Sequence, residues 1–203
     1  MASGATVIMI IRHAEKPDTY CGQAYAGVDA AGDTCGADGG ESLVTLGWQR
    51  AGALNTLFAP PWGPKPGLST PGFIYASDPA DDGTKEPSQR PFETVTPLAG
   101  LLGLTIDAKH KKKDYEKVVK DALAKNGAVL LCWQHEDILS IGKEILKQTK
   151  TKTITLPPGW PSGANGARYD LVWVFARPSG EGVITGFSQV AQFLLQGDAA
   201  APT

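Results

Sequence analysis

The sequence predicts an α/β fold, a three-layer α/β/α sandwich with a mostly parallel sheet, and three observations point there. Two apolar runs, Thr6 to Ile11 and Ala128 to Trp133, hold β-branched and large residues without alternation, the pattern of strands buried on both faces. Each run is followed at once by a polar group that includes a histidine, His13 and His135, two of the three in the chain. Strand-like stretches alternate with segments of helical period, which favours βαβ units.

A chain of 203 residues, 42% of them hydrophobic, suffices for one domain over 1–203 with a substantial core. Nineteen Lys and Arg against 21 Asp and Glu leave a net charge of −2, which argues against nucleic acid or a membrane surface as partner. No apolar stretch reaches transmembrane length and the N-terminus lacks the layout of a leader, so a soluble, cytoplasmic protein is expected. A mature chain whose leader had been removed would read the same. The three cysteines lack zinc-site spacing. Cys132 falls inside a strand as a small core residue. Cys21 and Cys35 share one loop, as a disulfide in an oxidising compartment or as free thiols.

In order, the first strand leads into an aperiodic Gly, Ala and Asp-rich loop over 17–41, long enough to suggest function. Trp48, Ala51, Leu54 and Phe58 recur at helical spacing, placing a helix from Ser42 to Phe58. A Pro/Gly loop over 59–72 ends it. Phe73 to Ser77 reads as a second strand, and Asp78 to Pro87 as a polar excursion. A helix begins near Ser88 with Pro91 in its first turn, and Pro97 is expected to kink or restart it. Thr105 to Asp107 suits a short edge strand. The basic run Lys109 to Lys113 reads as solvated surface, with His110 exposed among the lysines.

Asp114 to Asn126 is the clearest helix, its stripe made by Tyr115, Val118, Val119, Ala122 and Leu123. Asp114 suits the N-cap and Asn126-Gly127 a left-handed C-terminal cap. After the second histidine-bearing strand comes a helix with Ile138, Ile141, Ile145 and Leu146 on one face. A Thr/Pro/Gly loop over 149–168 follows, in which Trp160 and Arg168 are candidates to line a substrate pocket. Asp170 to Phe175 and Gly182 to Phe187 read as a hairpin, and the Ala-rich end beyond Asp198 as frayed.

Parallel strands gather loops at their C-terminal edge, where ligands bind. This topology sends Arg12 and His13, Arg90 at a helix start, and His135 with Glu136 to one such edge. Two arginines and two histidines around one point suit a phosphoryl group, because guanidinium forks match its oxygens and stay charged. Helix N-terminal N–H groups at Arg90 would add donors. His13 is then the nucleophile in neutral form, His135 the protonated electrostatic partner, and Glu136 the proton donor to the leaving oxygen. At a helix N-terminus Glu136 prefers to be ionised, and a bound phosphate dianion pushes the other way. Glu15 and Lys16 are candidate substrate contacts or merely a surface ion pair, and Arg50 is expected to be a surface or structural residue. The arginines argue against a metal between the histidines. Neither a Gly-rich nucleotide loop nor a Gly-x-Ser-x-Gly elbow is present.

Arg12-His-Ala-Glu-Lys-Pro17 resembles the Arg-His-Gly signature of the histidine phosphatase superfamily, also called phosphoglycerate mutase-like. Leu43-Val-Thr-Leu-Gly-Trp-Gln-Arg-Ala51 resembles that family's Leu-Thr-x-x-Gly helix start. Ser88-Gln-Arg-Pro-Phe-Glu-Thr94 is similar to its second arginine motif and Trp133-Gln-His-Glu-Asp-Ile138 to its second histidine motif. The resemblance, in family order over residues 12 to 138, implies a phosphoglycerate mutase-like sandwich. It also implies a phosphohistidine at His13, a phosphate pocket of Arg12, Arg90 and His135, Glu136 as proton donor, and no metal or other cofactor.

Three departures stand out. Ala14 replaces glycine. Val44 replaces threonine, so the helix cap must come from Ser42 or Thr45. The excursion before Arg90 exceeds the family's usual link. In the mutase branch the donor lies in a cap segment, which leaves Glu15, Asp18 and Asp107 as further candidates. The expected activity is metal-independent hydrolysis of a phosphorylated small molecule. The alternatives are an inactive phosphate-binding or regulatory protein, and a biosynthetic enzyme reusing the fold.

Overall fold

A computed structural model describes residues 4–20, 23–34, 40–80, 87–163 and 166–202. Cys21, Cys35 and most of the excursion before Arg90 lie outside the described residues. The chain runs β1 (Ala5–Arg12), β2 (Thr19–Tyr20), β3 (Gln23–Ala24), α1 (Thr45–Phe58), β4 (Phe73–Ser77), α2 (Arg90–Leu102) and β5 (Ile106–His110). It continues through α3 (Tyr115–Leu123), β6 (Gly127–Trp133), α4 (His135–Gln148), β7 (Ser162–Gly163), β8 (Gly166–Ala167), β9 (Leu171–Ala176) and β10 (Gly186–Ala191).

Six strands form one mixed sheet in the order β10-β9-β1-β6-β4-β5. The strands β1, β6, β4 and β5 pair in parallel, while β9 runs antiparallel to both β1 and β10. Alternate residues of the central strands serve opposite faces. Ile8, Ile10, Val129 and Leu131 pack in one cluster with Val118, Val119 and Ala122 of α3 and Ile138, Ile141 and Ile145 of α4. Met9, Ile11, Leu130 and Cys132 pack in another with Leu54 and Phe58 of α1 and Val95 and Leu98 of α2. Burial on both faces is why these runs show no polar alternation, and each large side chain so buried contributes roughly 1.5–3 kcal/mol.

Local expectations give way at several points. Pro97 does not restart α2, which runs through it to a left-handed Gly103 at φ 64°. One lost backbone bond is outweighed there by the burial of Val95, Leu98 and Ala99. Helix α1 starts at Thr45 without a side-chain cap, since the Ser42 hydroxyl donates to the buried Glu93 carboxylate instead, at 2.8 Å. Helix α3 stops at Leu123, and Gly127, at φ 120°, opens β6 rather than capping the helix. Asp114 occupies the N-cap position but its carboxylate bonds Lys117 and the Lys111 N–H.

The final hairpin forms with its second strand shifted to Gly186–Ala191, while Ile184 is buried ahead of it. His110 is 5% exposed, not solvated, and its Nε2 lies 3.0 Å from Asp121. Among the described residues no helix is long and apolar enough to cross a membrane.

Candidate functional site

Parallel pairing brings the C-terminal ends of β1 and β6 level, with Arg12 opposite Trp133. The His13 N–H continues the ladder to the Trp133 carbonyl at 3.0 Å, which fixes His13 just beyond the sheet and two residues across from His135. Because β9 runs the other way, its start carries Tyr169 to the same edge. Arg90 opens α2, and Thr94 one turn later ties that turn to β1. Its hydroxyl donates to the Arg90 carbonyl at 2.7 Å and accepts from the Ala14 N–H at 2.8 Å. Helix α1 closes the other side, with the Val44 N–H on the Glu15 carbonyl at 3.1 Å and Gly47 directly against that backbone.

His13 is 3% exposed, and its Nδ1 lies 2.7 Å from the Ala14 carbonyl oxygen. A carbonyl only accepts, so Nδ1 carries the proton and Nε2 keeps its lone pair. Burial first, then the Arg12 and Arg90 guanidiniums, hold the imidazole well below its usual range. Neutral, tautomer-fixed imidazole beside two cations is the state a nucleophile needs.

The Arg12 guanidinium lies over the Tyr169 ring, 3.8 Å from its centroid. Arg90 donates through Nη1 to the Gly40 carbonyl at 2.6 Å, while its buried Nε has no partner among the described residues. Burial lowers the pKa of both arginines, and each feels the charge of Glu136. Glu136 in turn contacts Lys112 Nζ at 2.9 Å and His135 Nδ1 at 3.0 Å, the latter off hydrogen-bonding direction. His135 first, then Lys112, hold its carboxyl well below the usual carboxylate range against the upward push of burial.

Arg12, His13, Arg90 and Glu136 thus gather within electrostatic reach of one another, and His135 stands beside Glu136 with its side chain 36% exposed. Glu15 turns elsewhere. It pairs with the buried Arg50 at 2.8 Å rather than with Lys16. Lys16 is exposed, and its backbone N–H reaches the Tyr169 hydroxyl. Asp107 pairs with Lys109 on the edge strand at 3.1 Å.

Trp160 and Arg168 are both engaged in contacts within the fold. The Trp160 indole donates to the Arg168 carbonyl at 2.6 Å and its ring lies 5.5 Å from that of Trp173. Arg168 grips Asp170 at 2.6 Å and the Ala199 and Ala200 carbonyls, so the C-terminal segment is pinned instead of frayed. Sequence reasoning missed three residues at this edge. Thr94 lay unassigned within a motif, Lys112 was hidden in a basic run, and Tyr169 had only its place ahead of an apolar strand as a signal.

Among the described residues no group of three or more His, Cys, Asp or Glu is placed to hold a metal ion. No protein-family model matches the chain, and no curated protein matches it either.

Proposed function

We propose that the chain is a histidine phosphatase of phosphoglycerate mutase-like fold that hydrolyses a cytoplasmic, phosphorylated small molecule through a phosphohistidine on His13. The observation that carries this reading is the state of His13: neutral, with Nδ1 on the Ala14 carbonyl, between two arginines. In the first transfer Nε2 attacks phosphorus and the ester P–O bond breaks, while Glu136 as carboxylic acid protonates the leaving oxygen. In the second, a water gives its proton to Glu136 and attacks phosphorus, and the P–N bond breaks to return the imidazole. Arg12, Arg90 and protonated His135 offset the charge on the equatorial oxygens, where preorganised electrostatics contribute most. Substrate selection falls to the loops over 17–41, 59–72 and 149–168.

Glu136 is ionised in the empty site, so the bound phosphate dianion must raise its pKa before it can act as an acid. That same observation favours a second reading, a pocket that holds phosphate without turning over esters. Incubation with a labelled aryl phosphate separates the two. Acid-labile label on the wild type and none on His13→Ala is the result expected of a phosphatase. Phosphate binding with neither label nor released phosphate would leave the second reading in possession.

A further inference from the structure

We propose that Tyr169 is a positioning residue of the phosphate clamp: its ring sets the plane of the Arg12 guanidinium. This rests on the phosphate reading of the site, though not on turnover. The two groups come from antiparallel neighbours, Arg12 from the end of β1 and Tyr169 from just ahead of β9, and the guanidinium carbon lies 3.8 Å from the ring centroid. Guanidinium donors lie in the plane of the group, so a ring against its face orients them without competing for them. The same ring stands 6.0 Å from the His13 imidazole, tilted by 56°. One side chain therefore borders both the nucleophile and one arm of the clamp.

Tyr169 is itself held from two directions. Its hydroxyl oxygen accepts from the Lys16 backbone N–H, three residues past His13. Its neighbour Asp170 is buried and takes the Arg168 fork at 2.7 and 2.6 Å together with the Ala199 N–H at 2.7 Å. Burial raises the phenol pKa, in keeping with a ring contact and not with proton transfer. A planar fork serves a phosphate only when its edge faces the oxygens, so a ring that bears on its plane bears on binding. The contact is thus expected to act on phosphate affinity, where a purely structural role would act only on unfolding.

The test compares Tyr169→Phe, which keeps the ring, with Tyr169→Leu and Tyr169→Met, which do not, by calorimetric titration with inorganic phosphate. Unfolding midpoints are recorded for each. We expect the Phe protein to bind within about two-fold of wild type and the ringless proteins about ten-fold more weakly. The same order should appear in KM for an aryl phosphate. Wild-type phosphate affinity in either ringless variant would overturn the proposal, as would a Phe variant as weak as the Leu one. Tyr169-dependent phosphate binding without label on His13 would sink the phosphatase reading alone. Labelling at the wild-type rate and KM without the ring would sink this inference alone.

Discussion

The Arg50 guanidinium lies 2.8 Å from Glu15 Oε1, and the same buried nitrogen contacts Asp198 Oδ1 at 2.8 Å. A helix α1 side chain therefore joins the residue two places after His13 to the C-terminal segment. Burial by itself would lower the arginine's pKa, but hydrogen bonds to Asp198 and Glu15 reverse the sign and raise it. Only 4% of Arg50 is exposed, so the contact is a structural one at the exit of β1.

Removing the arginine leaves Glu15 and Asp198 charged and without their shared cation in a largely buried place. Arg50→Met is expected to cost about 3–5 kcal/mol, read as a fall in the urea midpoint at unchanged slope. Glu15→Gln, which keeps hydrogen-bonding capacity, should cost less. Equal midpoints for wild type and Arg50→Met would show that the network contributes nothing net.

Gly47 sets α1 against the backbone that follows His13. A Cβ there would stand 2.5 Å from the Glu15 carbonyl oxygen and 3.1 Å from its nitrogen, and backbone atoms have no rotamer by which to move aside. Gly47→Ala should therefore push the helix from that backbone and destabilise the fold by about 1–3 kcal/mol, despite alanine's better helix propensity. Gly52, whose Cβ would meet nothing within 4 Å, is the control: its alanine variant should gain stability instead.

What the sequence disclosed, and what it did not, follows the range of the interactions. β1 and β6 were legible because burial on two faces removes polar residues from a local run. Arg12, His13, Arg90 and Glu136 were legible because strand ends and helix starts can be placed from such runs. The role of Thr94 depends on a hydrogen bond to Ala14 across 80 residues, which no local pattern carries. His110 was misplaced because its neighbours in sequence are lysines, whereas its neighbour in space is Asp121 of α3. Ser42 was misread as a cap because a buried carboxylate 51 residues away outcompetes the helix for its hydroxyl. The contacts of Trp160 with Trp173 of β9 and of Arg168 with the C-terminal segment are likewise beyond the reach of a local pattern.

The state of His13 makes a claim about stability against pH. Its imidazole is held well below its usual range in the folded chain by burial and by Arg12 and Arg90. The unfolded imidazole takes a proton near pH 6.5, so below that the unfolded state binds more protons and stability falls as pH falls. From about pH 6.5 to 5 this one group contributes a slope of up to about 1.4 kcal/mol per pH unit. Carboxyls held low, such as Glu136 and Asp198, act in the same direction but mainly below their unfolded values near 4, while Glu93, raised by burial, acts in the opposite direction, so the substitution is what isolates the part due to His13. His13→Gln should flatten the curve in that window, as followed by chemical denaturation at each pH. A slope unchanged by the substitution would place the depressed group elsewhere.

Glu136 makes the corresponding claim about turnover. With His135 and Lys112 against it, its carboxyl titrates well below the ordinary range in the free protein. Only the protonated form can serve a poor leaving group, so alkyl phosphate hydrolysis should be confined to more acid solution than aryl phosphate hydrolysis. Removing the Lys112 cation weakens the preference for the ionised form and raises the pKa, so in Lys112→Met the falling limb of kcat/KM for an alkyl phosphate should move to higher pH. Glu136→Gln should lose about 10²-fold or more on alkyl phosphates and much less on aryl phosphates, whose leaving groups need no proton. Both comparisons come from pH profiles of kcat/KM, which report the free enzyme's acid. Superimposable alkyl phosphate profiles for wild type and Lys112→Met would remove Glu136 from the acid role, whatever the fate of the His13 nucleophile.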